Sequence, residues 1–312
     1  MQKCIGILTL IAIVALTAWS QTKQIAITFD DLPISGPSGD AQSLTAEITA
    51  VNTKLLAAIK RERIPAIGFV NESRLYARGQ TDARIDALRM WIDAGLELGN
   101  HTFSHISIDQ NPIERYEEDV IRGETVTRML LAEKKMPLRY FRHTQLRTGP
   151  TEDYRKKLAA FLESRGYTVA PVTIDNQEWI FASIYARAKS KGDSATMKKV
   201  GDEYVAYMER VFVFFENLSK ETFKRDIPQT LLLHVNSLNA DYFDRLVGMI
   251  KKRGYVFVPL GTALQDAVYS RPEVQANKGL SWIHRWRLAD GLALEEEPAE
   301  PGWIGELNRS YR

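Results

Sequence analysis

The stretch Gln24-Ile25-Ala26-Ile27-Thr28-Phe29-Asp30-Asp31-Leu32-Pro33 is an apolar, β-prone run that ends in two aspartates and a proline. It predicts a strand over 24–29 that passes directly into a turn. Adjacent side chains on an extended chain point to opposite sides. One carboxylate can therefore bind a metal ion while the other stays free as a base, although an Asp-Asp pair at a strand end can also merely stabilise the turn.

A pair of histidines lies in the segment His101-Thr102-Phe103-Ser104-His105, after the short apolar run 96–100. The four-residue spacing predicts two imidazoles on one side of a helical turn, close enough to share one cation. The chain holds only five histidines, so two of them at this spacing are unlikely to occur by chance. The spacing therefore favours a metal site over an unrelated pair of histidines in a loop. Two imidazoles and one carboxylate suit Zn²⁺, or Co²⁺, Mn²⁺ or Fe²⁺, and leave a coordination position open for water.

These two segments resemble the first two motifs of the polysaccharide deacetylases, which form carbohydrate esterase family four and share the NodB-like homology domain. The matching residues are Thr28-Phe29-Asp30-Asp31 and the segment from His101 to His105. The resemblance implies that Asp30 is the general base. It also implies that Asp31 and both histidines hold the metal ion.

Counterparts of the family's later motifs follow in the same order, and the resemblance covers roughly residues 24–265. Arg142 stands in the place of an arginine that orients the catalytic aspartate. The segment Asp175-Asn176-Gln177-Glu178-Trp179 is similar to the fourth motif, with Glu178 replacing the usual second aspartate. His234, after Leu232-Leu233, corresponds to the histidine that the family uses as general acid.

The third motif departs most from the family pattern. The family usually continues its arginine with a proline and a tyrosine whose backbone N–H binds the oxyanion, whereas this chain has Arg142-His143-Thr144-Gln145-Leu146-Arg147. A backbone donor can survive a change of side chain, so Gln145 is the candidate donor. Gln145 and Trp179 are the candidate substrate contacts, and the departure bears on substrate identity more than on catalysis.

The same residues fit metal-assisted hydrolysis of an amide or ester, which needs a polarised carbonyl, an activated water and an acid for the leaving group. Asp30 would take the proton from water, and Arg142 would keep that carboxylate ionised and in place. His234 would protonate the leaving group, although a histidine in an apolar strand can also be a core residue. A carboxylate must raise the pKa of His234 for this role, with Glu178 as the candidate and Asp175 as the alternative.

The N-terminus predicts an exported protein. Lys3 precedes the apolar run 5–16, and the small residues Ala18 and Ser20 follow, which is typical of a signal peptide cleaved after Ser20. The apolar run is too short for a membrane anchor. The single cysteine, Cys4, leaves with this peptide, so the mature chain forms no disulfide. We expect a secreted or periplasmic protein with no stable membrane anchor after cleavage.

The charge balance argues against a nucleic-acid partner. The chain has 41 basic and 39 acidic residues, and removal of residues 1–20 leaves 40 against 39. A nearly neutral chain lacks the excess of Lys and Arg that phosphate backbones attract. The expected partner is an acetylated carbohydrate substrate.

The chain predicts an α/β fold in which helices and strands alternate. Helices are expected over 43–63, 82–94 and 112–134. Three helix-to-strand joints carry a glycine just past the helix end, at Gly95, Gly166 and Gly254. This repeated order predicts a parallel sheet, and the candidate site residues fall at strand ends, where α/β barrels carry their catalytic groups. The resemblance implies an irregular, TIM-like (β/α) barrel of seven strands.

The expected organisation has three parts: a signal peptide over 1–20, a catalytic barrel over 21–270 with a helical insertion at about 180–228, and a C-terminal extension over 271–312 packed on the barrel. The insertion should form helices over 180–191 and 195–219, the second with one apolar face that packs on the barrel. The chain after residue 270 should be irregular, with Trp282 and Trp286 buried.

The sequence thus predicts a metal-dependent hydrolase that removes acetyl groups from a carbohydrate, above all the N-acetyl group of an amino sugar in a poly- or oligosaccharide. An O-acetyl carbohydrate esterase is the alternative enzyme. A metal-free amidohydrolase acting on a small cyclic amide is disfavoured by the set Asp31, His101 and His105. A non-catalytic carbohydrate-binding protein is disfavoured by Asp30 and His234.

Overall fold

A computed structural model describes residues 22–36 and 41–310. The expected signal peptide lies outside these residues. Seven strands pair in parallel in one sheet: β1 Lys23–Leu32, β2 Ile67–Val70, β3 Glu97–Asn100, β4 Tyr140–Phe141, β5 Thr168–Val169, β6 Gln229–His234 and β7 Tyr255–Phe257.

The sheet curls into a small barrel. Its strand order is β5-β4-β3-β2-β1-β6, with β7 paired to the first residues of β1. An isolated parallel bridge between Ile174 and Leu231 joins the chain after β5 to β6 and brings the two ends of the order together. Thr173 and Thr230 exchange backbone and side-chain hydrogen bonds at this seam. The predicted fold class, an irregular α/β barrel with seven strands, is confirmed.

Eleven α-helices lie among the described residues: α1 Ala41–Glu62, α2 Thr81–Asp93, α3 Ile113–Arg122, α4 Thr125–Glu133, α5 Glu152–Ser164, α6 Glu178–Ser190, α7 Ser194–Phe223, α8 Ser237–Lys252, α9 Leu260–Ala263, α10 Trp282–Ala289 and α11 Gly302–Ser310. The core lies between sheet and helices, where Phe29 of β1 packs on Trp91 of α2 and Phe243 of α8. No helix among the described residues has the length and apolarity needed to cross a membrane.

The three glycine joints have the backbone that the sequence predicted. Gly95, Gly166 and Gly254 each follow a helix with φ of +77°, +77° and +83°. Side chains with a Cβ rarely adopt this left-handed region, so glycine ends each helix and turns the chain into the next strand.

The single helix expected over 112–134 is wrong, because the chain forms α3 and α4 with a break at Gly123 and Glu124. A Cβ on Gly123 would lie 2.5 Å from the backbone carbon of Thr102. Glycine is required at this close approach, and the break lets the helix pair pack directly against the segment that carries the two histidines.

The insertion forms α6 and the 30-residue α7, both longer than expected. One face of α7 is buried, with Met208, Phe212 and Phe215 in the core. The hydroxyl oxygen of Tyr207 on α7 accepts the backbone N–H of Gln177 at 2.9 Å, so this helix also supports the segment before α6.

The irregular C-terminal extension expected from the sequence is wrong, because α10 and α11 form there. Trp282 and Trp286 are buried, as expected. The backbone N–H of Trp282 donates to the carbonyl of Val172 at 2.7 Å, which fixes α10 on the chain that follows β5.

Candidate active site

The candidate residues converge at the carboxyl-end edge of the sheet. Asp30 and Asp31 lie near the end of β1, His101 directly follows β3, and Arg142 directly follows β4. His234 is the last residue of β6 and the register partner of Asp30 on β1. Parallel strands place such residues at one edge, and this edge is where α/β barrels carry their chemistry.

Asp31, His101 and His105 form a group whose potential ligand atoms all lie within 4.8 Å of one another. Asp31 Oδ1 lies 3.9 Å from His101 Nε2 and 3.9 Å from His105 Nε2. This oxygen is buried without a hydrogen-bond partner in the described part of the chain. Zinc ligands stand about 2.0–2.2 Å from the ion, so small side-chain movements bring the three atoms around one centre. The residues fit a divalent metal ion.

The imidazoles of His101 and His105 are both neutral, as metal binding requires. Burial lowers the pKa of His101 and of His105 to about 4, so neither is charged at neutral pH. His101 Nδ1 lies 2.8 Å from the carbonyl oxygen of Arg142, which can only accept, so Nδ1 carries the proton. The lone pair of His101 is therefore on Nε2, the atom that faces Asp31.

The segment from His101 to His105 is a loop, and the predicted helical turn is wrong. Thr102 and His105 have left-handed backbones, with φ of +68° and +53°. Asp119 on α3 accepts the backbone N–H of Ser104 at 2.9 Å and its hydroxyl at 2.6 Å. His105 N donates to Thr102 Oγ1 at 3.0 Å. These contacts hold the segment in a non-helical conformation. The two imidazoles nevertheless lie together, with ring centroids 4.9 Å apart.

Arg74 belongs to the site and was missed from the sequence. Its Nη2 lies 3.1 Å from Asp31 Oδ2, and Ser35 Oγ donates to the same oxygen at 3.3 Å. Burial would raise the pKa of Asp31, but Arg74 and the neighbouring histidines hold it well below its usual range. Arg74 lies four residues after β2. The sequence signal that could have identified Arg74 is its position: it is a charged residue shortly after β2, and side chains at strand ends of α/β barrels line the active site.

Asp30 is the second carboxylate, buried between Arg142 and His101. Arg142 Nε lies 3.8 Å from Asp30 Oδ1, and His101 Nε2 lies 3.6 Å from Asp30 Oδ2. Arg142 is fully buried inside the barrel, where its Nη2 donates to Thr28 Oγ1 at 2.7 Å. Burial raises the pKa of Asp30 even though Arg142 and His234 oppose the shift. The carboxylate is thereby a stronger base than an exposed aspartate.

His234 pairs with Glu178, the first residue of α6. His234 Nδ1 lies 2.8 Å from Glu178 Oε2, while Asn236 and Asn239 donate to Glu178 Oε1 at 2.5 and 3.0 Å. Burial alone would lower the pKa of His234, but the hydrogen bond and charge of Glu178, with smaller effects of both site aspartates, raise it to about 9. Of the two predicted alternatives, Glu178 is at hydrogen-bond distance. The two asparagines were not recognised in the sequence.

Asp175 lies elsewhere in the site. Its Oδ1 accepts the backbone N–H of Asn176 at 2.8 Å, and no hydrogen bond joins it to His234 among the described residues. Burial and the charge of Glu297 raise the pKa of Asp175 to about 7, against the influence of His234 and Arg142.

The two candidate substrate contacts are both exposed. Gln145 sits in a short turn with φ of +55°, and 49% of Trp179 is exposed, with its Nε1 donating to Gln177 Oε1 at 3.0 Å. His143 is buried between Phe141 and Trp282. Burial and the charge of Arg285 lower the pKa of His143 to about 3, so this side chain is neutral.

Unusual backbone conformations concentrate around the site. Of the eight non-glycine residues with positive φ in the described ranges, five lie here: Asp31, Thr102, His105, Gln145 and Leu146. Such conformations cost about 1–3 kcal/mol each and persist where the surroundings impose them, which is characteristic of functional sites.

The model of the polysaccharide deacetylase family matches residues 19–170. This range contains the two aspartates, both loop histidines and Arg142, whereas Glu178 and His234 lie beyond it. The resemblance drawn from the motifs is confirmed. No curated protein matches the chain.

Several solved structures are similar to this chain at low sequence identity. Peptidoglycan deacetylase PdaC from Bacillus subtilis is 18% identical with a TM-score of 0.46, over 78% of this chain and 91% of that chain. A family 4 carbohydrate esterase from Streptomyces lividans in complex with acetate is 18% identical with a TM-score of 0.46, over 75% and 90%. A CE4 family pseudoenzyme from Bacillus anthracis is 14% identical with a TM-score of 0.45, over 75% and 63%. This chain thus spans less than two thirds of that pseudoenzyme's length.

Proposed function

From its polysaccharide deacetylase region over residues 19–170, we propose that the chain is a metal-dependent hydrolase that removes the N-acetyl group from an amino sugar in a poly- or oligosaccharide. The observation that carries the proposal is the pairing of Asp30 with His234 on neighbouring strands. Beside them lie Asp31, His101 and His105, which could together hold a metal ion. A base and an acid with separately tuned pKa values are what amide hydrolysis requires.

A divalent ion, with Zn²⁺ as first choice and Co²⁺, Mn²⁺ or Fe²⁺ as alternatives, would polarise the acetyl carbonyl and lower the pKa of bound water. Asp31, His101 and His105 would hold it. Arg74 and Ser35 bind one oxygen of Asp31, so the other oxygen stays directed at the two imidazoles.

Asp30 takes the proton of the attacking water at its carboxylate. Its buried position makes it more basic, and Arg142, fixed by Thr28 inside the barrel, keeps it directed into the site. The negative charge that develops on the carbonyl oxygen is stabilised by the backbone N–H of Gln145, because the N–H groups of Leu146 and Arg147 already donate to the carbonyl oxygens of His143 and Thr144.

His234 gives a proton to the leaving nitrogen. Glu178 keeps the imidazole protonated at neutral pH, and Asn236 and Asn239 hold Glu178 in place. An amine is a poor leaving group until it is protonated. A histidine kept as imidazolium therefore supports an amide substrate more than an ester, whose alkoxide departs more readily.

The test is acetate release by the purified chain from a panel of glycans, with and without added Zn²⁺. The panel contains N-acetylglucosamine oligomers, peptidoglycan and O-acetylated xylan, and Asp30→Asn serves as the inactive control. Acetate together with new free amine supports the proposal. Acetate from xylan alone would establish the esterase, glycan binding without acetate the carbohydrate-binding protein, and undiminished activity after chelation a metal-free hydrolase.

We further propose that the protein acts outside the cytoplasm, on the strength of the signal-peptide pattern in residues 1–20. Fractionation of producing cells, with sequencing of the mature N-terminus, tests this. Full-length chain in the cytoplasm would contradict it.

A further inference from the structure

The turn after Arg142 has a backbone that its own sequence does not favour. Gln145 and Leu146 are consecutive left-handed residues, with φ of +55° and +51°. Neither is glycine, asparagine or aspartate, the residues that most readily adopt this region. Contacts from another part of the chain must therefore hold the turn in this shape.

Arg285 of α10 supplies one of these contacts. This arginine is fully buried. Its Nη2 donates to the carbonyl oxygen of Leu146 at 2.7 Å, and its Nη1 donates to Thr148 Oγ1 at 3.2 Å and to the carbonyl oxygen of Val274 at 3.1 Å. One guanidinium thus joins the turn to the C-terminal extension.

Gly279 supplies a second contact. A Cβ built on Gly279 would lie 2.1 Å from the carbonyl oxygen of Gln145, far inside van der Waals contact. The backbone of Gly279 is not left-handed, so glycine is needed here for the close approach alone. The extension and the turn touch through their main chains.

Further contacts continue along the turn. Arg147 Nη1 donates to the carbonyl oxygen of Asn277 at 3.3 Å, and Gln275 Nε2 donates to that of Pro150 at 3.0 Å. The Trp282 ring stacks on His143, with centroids 6.3 Å apart and an interplanar angle of 24°. The extension therefore follows the turn from residue 143 to residue 150.

We propose that residues 274–285 of the C-terminal extension are a positioning element of the active site: Gly279 and Arg285 set the backbone of Gln145 and Leu146 and so the direction of the Gln145 N–H, the candidate donor to the developing oxyanion. This inference rests on the proposed function, because it needs the turn to bind the oxyanion. The extension acts through the turn and does not itself touch the substrate.

Gly279→Ala tests the inference, with Gly302→Ala as the matched control. Gly302 lies in the same extension, and a Cβ there would meet nothing within 4 Å. Gly279→Ala should lower kcat by on the order of 10–100-fold and change KM less than about twofold, because the oxyanion forms only in the transition state. Gly302→Ala should match the wild type. Equal kcat in all three proteins overturns the inference.

Two binding measurements separate a positioning role from general damage. Methylphosphonate, a tetrahedral oxyanion mimic, should bind the Zn²⁺-loaded Gly279→Ala protein at least about tenfold more weakly than the wild type. Zn²⁺ should bind both proteins equally, because the ligand residues lie outside the turn. Parallel loss of Zn²⁺ and methylphosphonate affinity means general structural damage and overturns the inference.

The inference and the proposed function can fail separately. If the wild type releases no acetate from any glycan, the proposed function fails, and hydrogen exchange of the amides of residues 143–148 then tests the inference. Faster exchange in Gly279→Ala than in Gly302→Ala means that the extension holds the turn and supports the inference, and equal exchange overturns it. If Gly279→Ala does not fold, Thr148→Val replaces it, since this isosteric change removes one acceptor of Arg285. A kcat unchanged in Thr148→Val then overturns the inference.

Discussion

Asp30 and His234 are register partners on the adjacent parallel strands β1 and β6. The sheet therefore presents a buried carboxylate and a carboxylate-paired imidazole at neighbouring positions of one edge. Burial raises the pKa of Asp30, and Glu178 raises the pKa of His234 to about 9. Burial is the main cause for the base and Glu178 for the acid, and each of the two groups also shifts the pKa of the other by a smaller amount.

Activity should follow a bell-shaped pH profile. Asp30 must be ionised, so kcat/KM falls as the pH drops through its pKa, which lies above the ordinary value of 3.8. His234 must be protonated, so kcat/KM also falls as the pH rises through about 9. Initial rates of acetate release between pH 4 and about 10 measure both limbs. A rate that keeps rising above pH ~9 would contradict the role of His234.

Glu178→Gln should move the alkaline limb to lower pH by on the order of 1–2 units. The amide carries no charge to stabilise the imidazolium, whereas burial still favours the neutral ring. Asp175→Asn is the comparison, because Asp175 makes no hydrogen bond to His234 among the described residues and should shift the limb less. A larger shift in Asp175→Asn would reverse the assignment of the partner.

His105→Ala should lower Zn²⁺ affinity by more than about 100-fold and lower activity with it. It removes one of the three candidate ligands that the described residues offer, and a site with three protein ligands has no spare one to replace it. Metal content after dialysis and titration with Zn²⁺ measure the effect. Wild-type metal content and activity in this variant would end the metal assignment.

Asp30→Asn should retain Zn²⁺ and lose activity by about 10²–10⁴-fold. The amide cannot accept the proton of water, but Asp31 and the histidines are unchanged. Metal content and kcat measured on the same preparation distinguish this outcome from that of His105→Ala. If Asp30→Asn loses the metal, the roles of the two aspartates are exchanged.

His234→Ala should damage amide hydrolysis far more than hydrolysis of an activated aryl acetate. An aryloxide leaves without protonation, whereas an amine does not, so only the amide needs the acid. Rates on N-acetylglucosamine oligomers and on 4-nitrophenyl acetate give the comparison. Equal losses on both substrates would mean that His234 holds the structure or the substrate.

The parts of the fold that the sequence predicted depend on local signals. The apolar run before Asp30 and Asp31 predicted the strand β1 but placed its end too early, because β1 continues to Leu32. The glycines after the helices have the left-handed backbones that glycine adopts most readily. Both features are decided within about ten residues, so a single sequence contains them.

The parts that the sequence did not predict depend on contacts between distant residues. The loop of His101 and His105 is non-helical because Asp119 binds Ser104 and because Gly123 approaches Thr102. Arg74 reaches Asp31 across 43 positions of the chain, and Asn239 reaches Glu178 across 61. Helices α10 and α11 are short and gain their stability from packing, which periodicity does not reveal.

The main-chain contact between Gly279 and Gln145 also has a consequence for how this protein changes over evolutionary time. Recombination that exchanged the C-terminal extension for that of a relative would replace the residues that position the turn, and the hybrid should keep Asp31, His101 and His105 while losing turnover. The C-terminal extension and residues 143–148 should therefore be inherited as one unit. Insertions and deletions should accumulate between α10 and α11, where residues 291–296 are exposed.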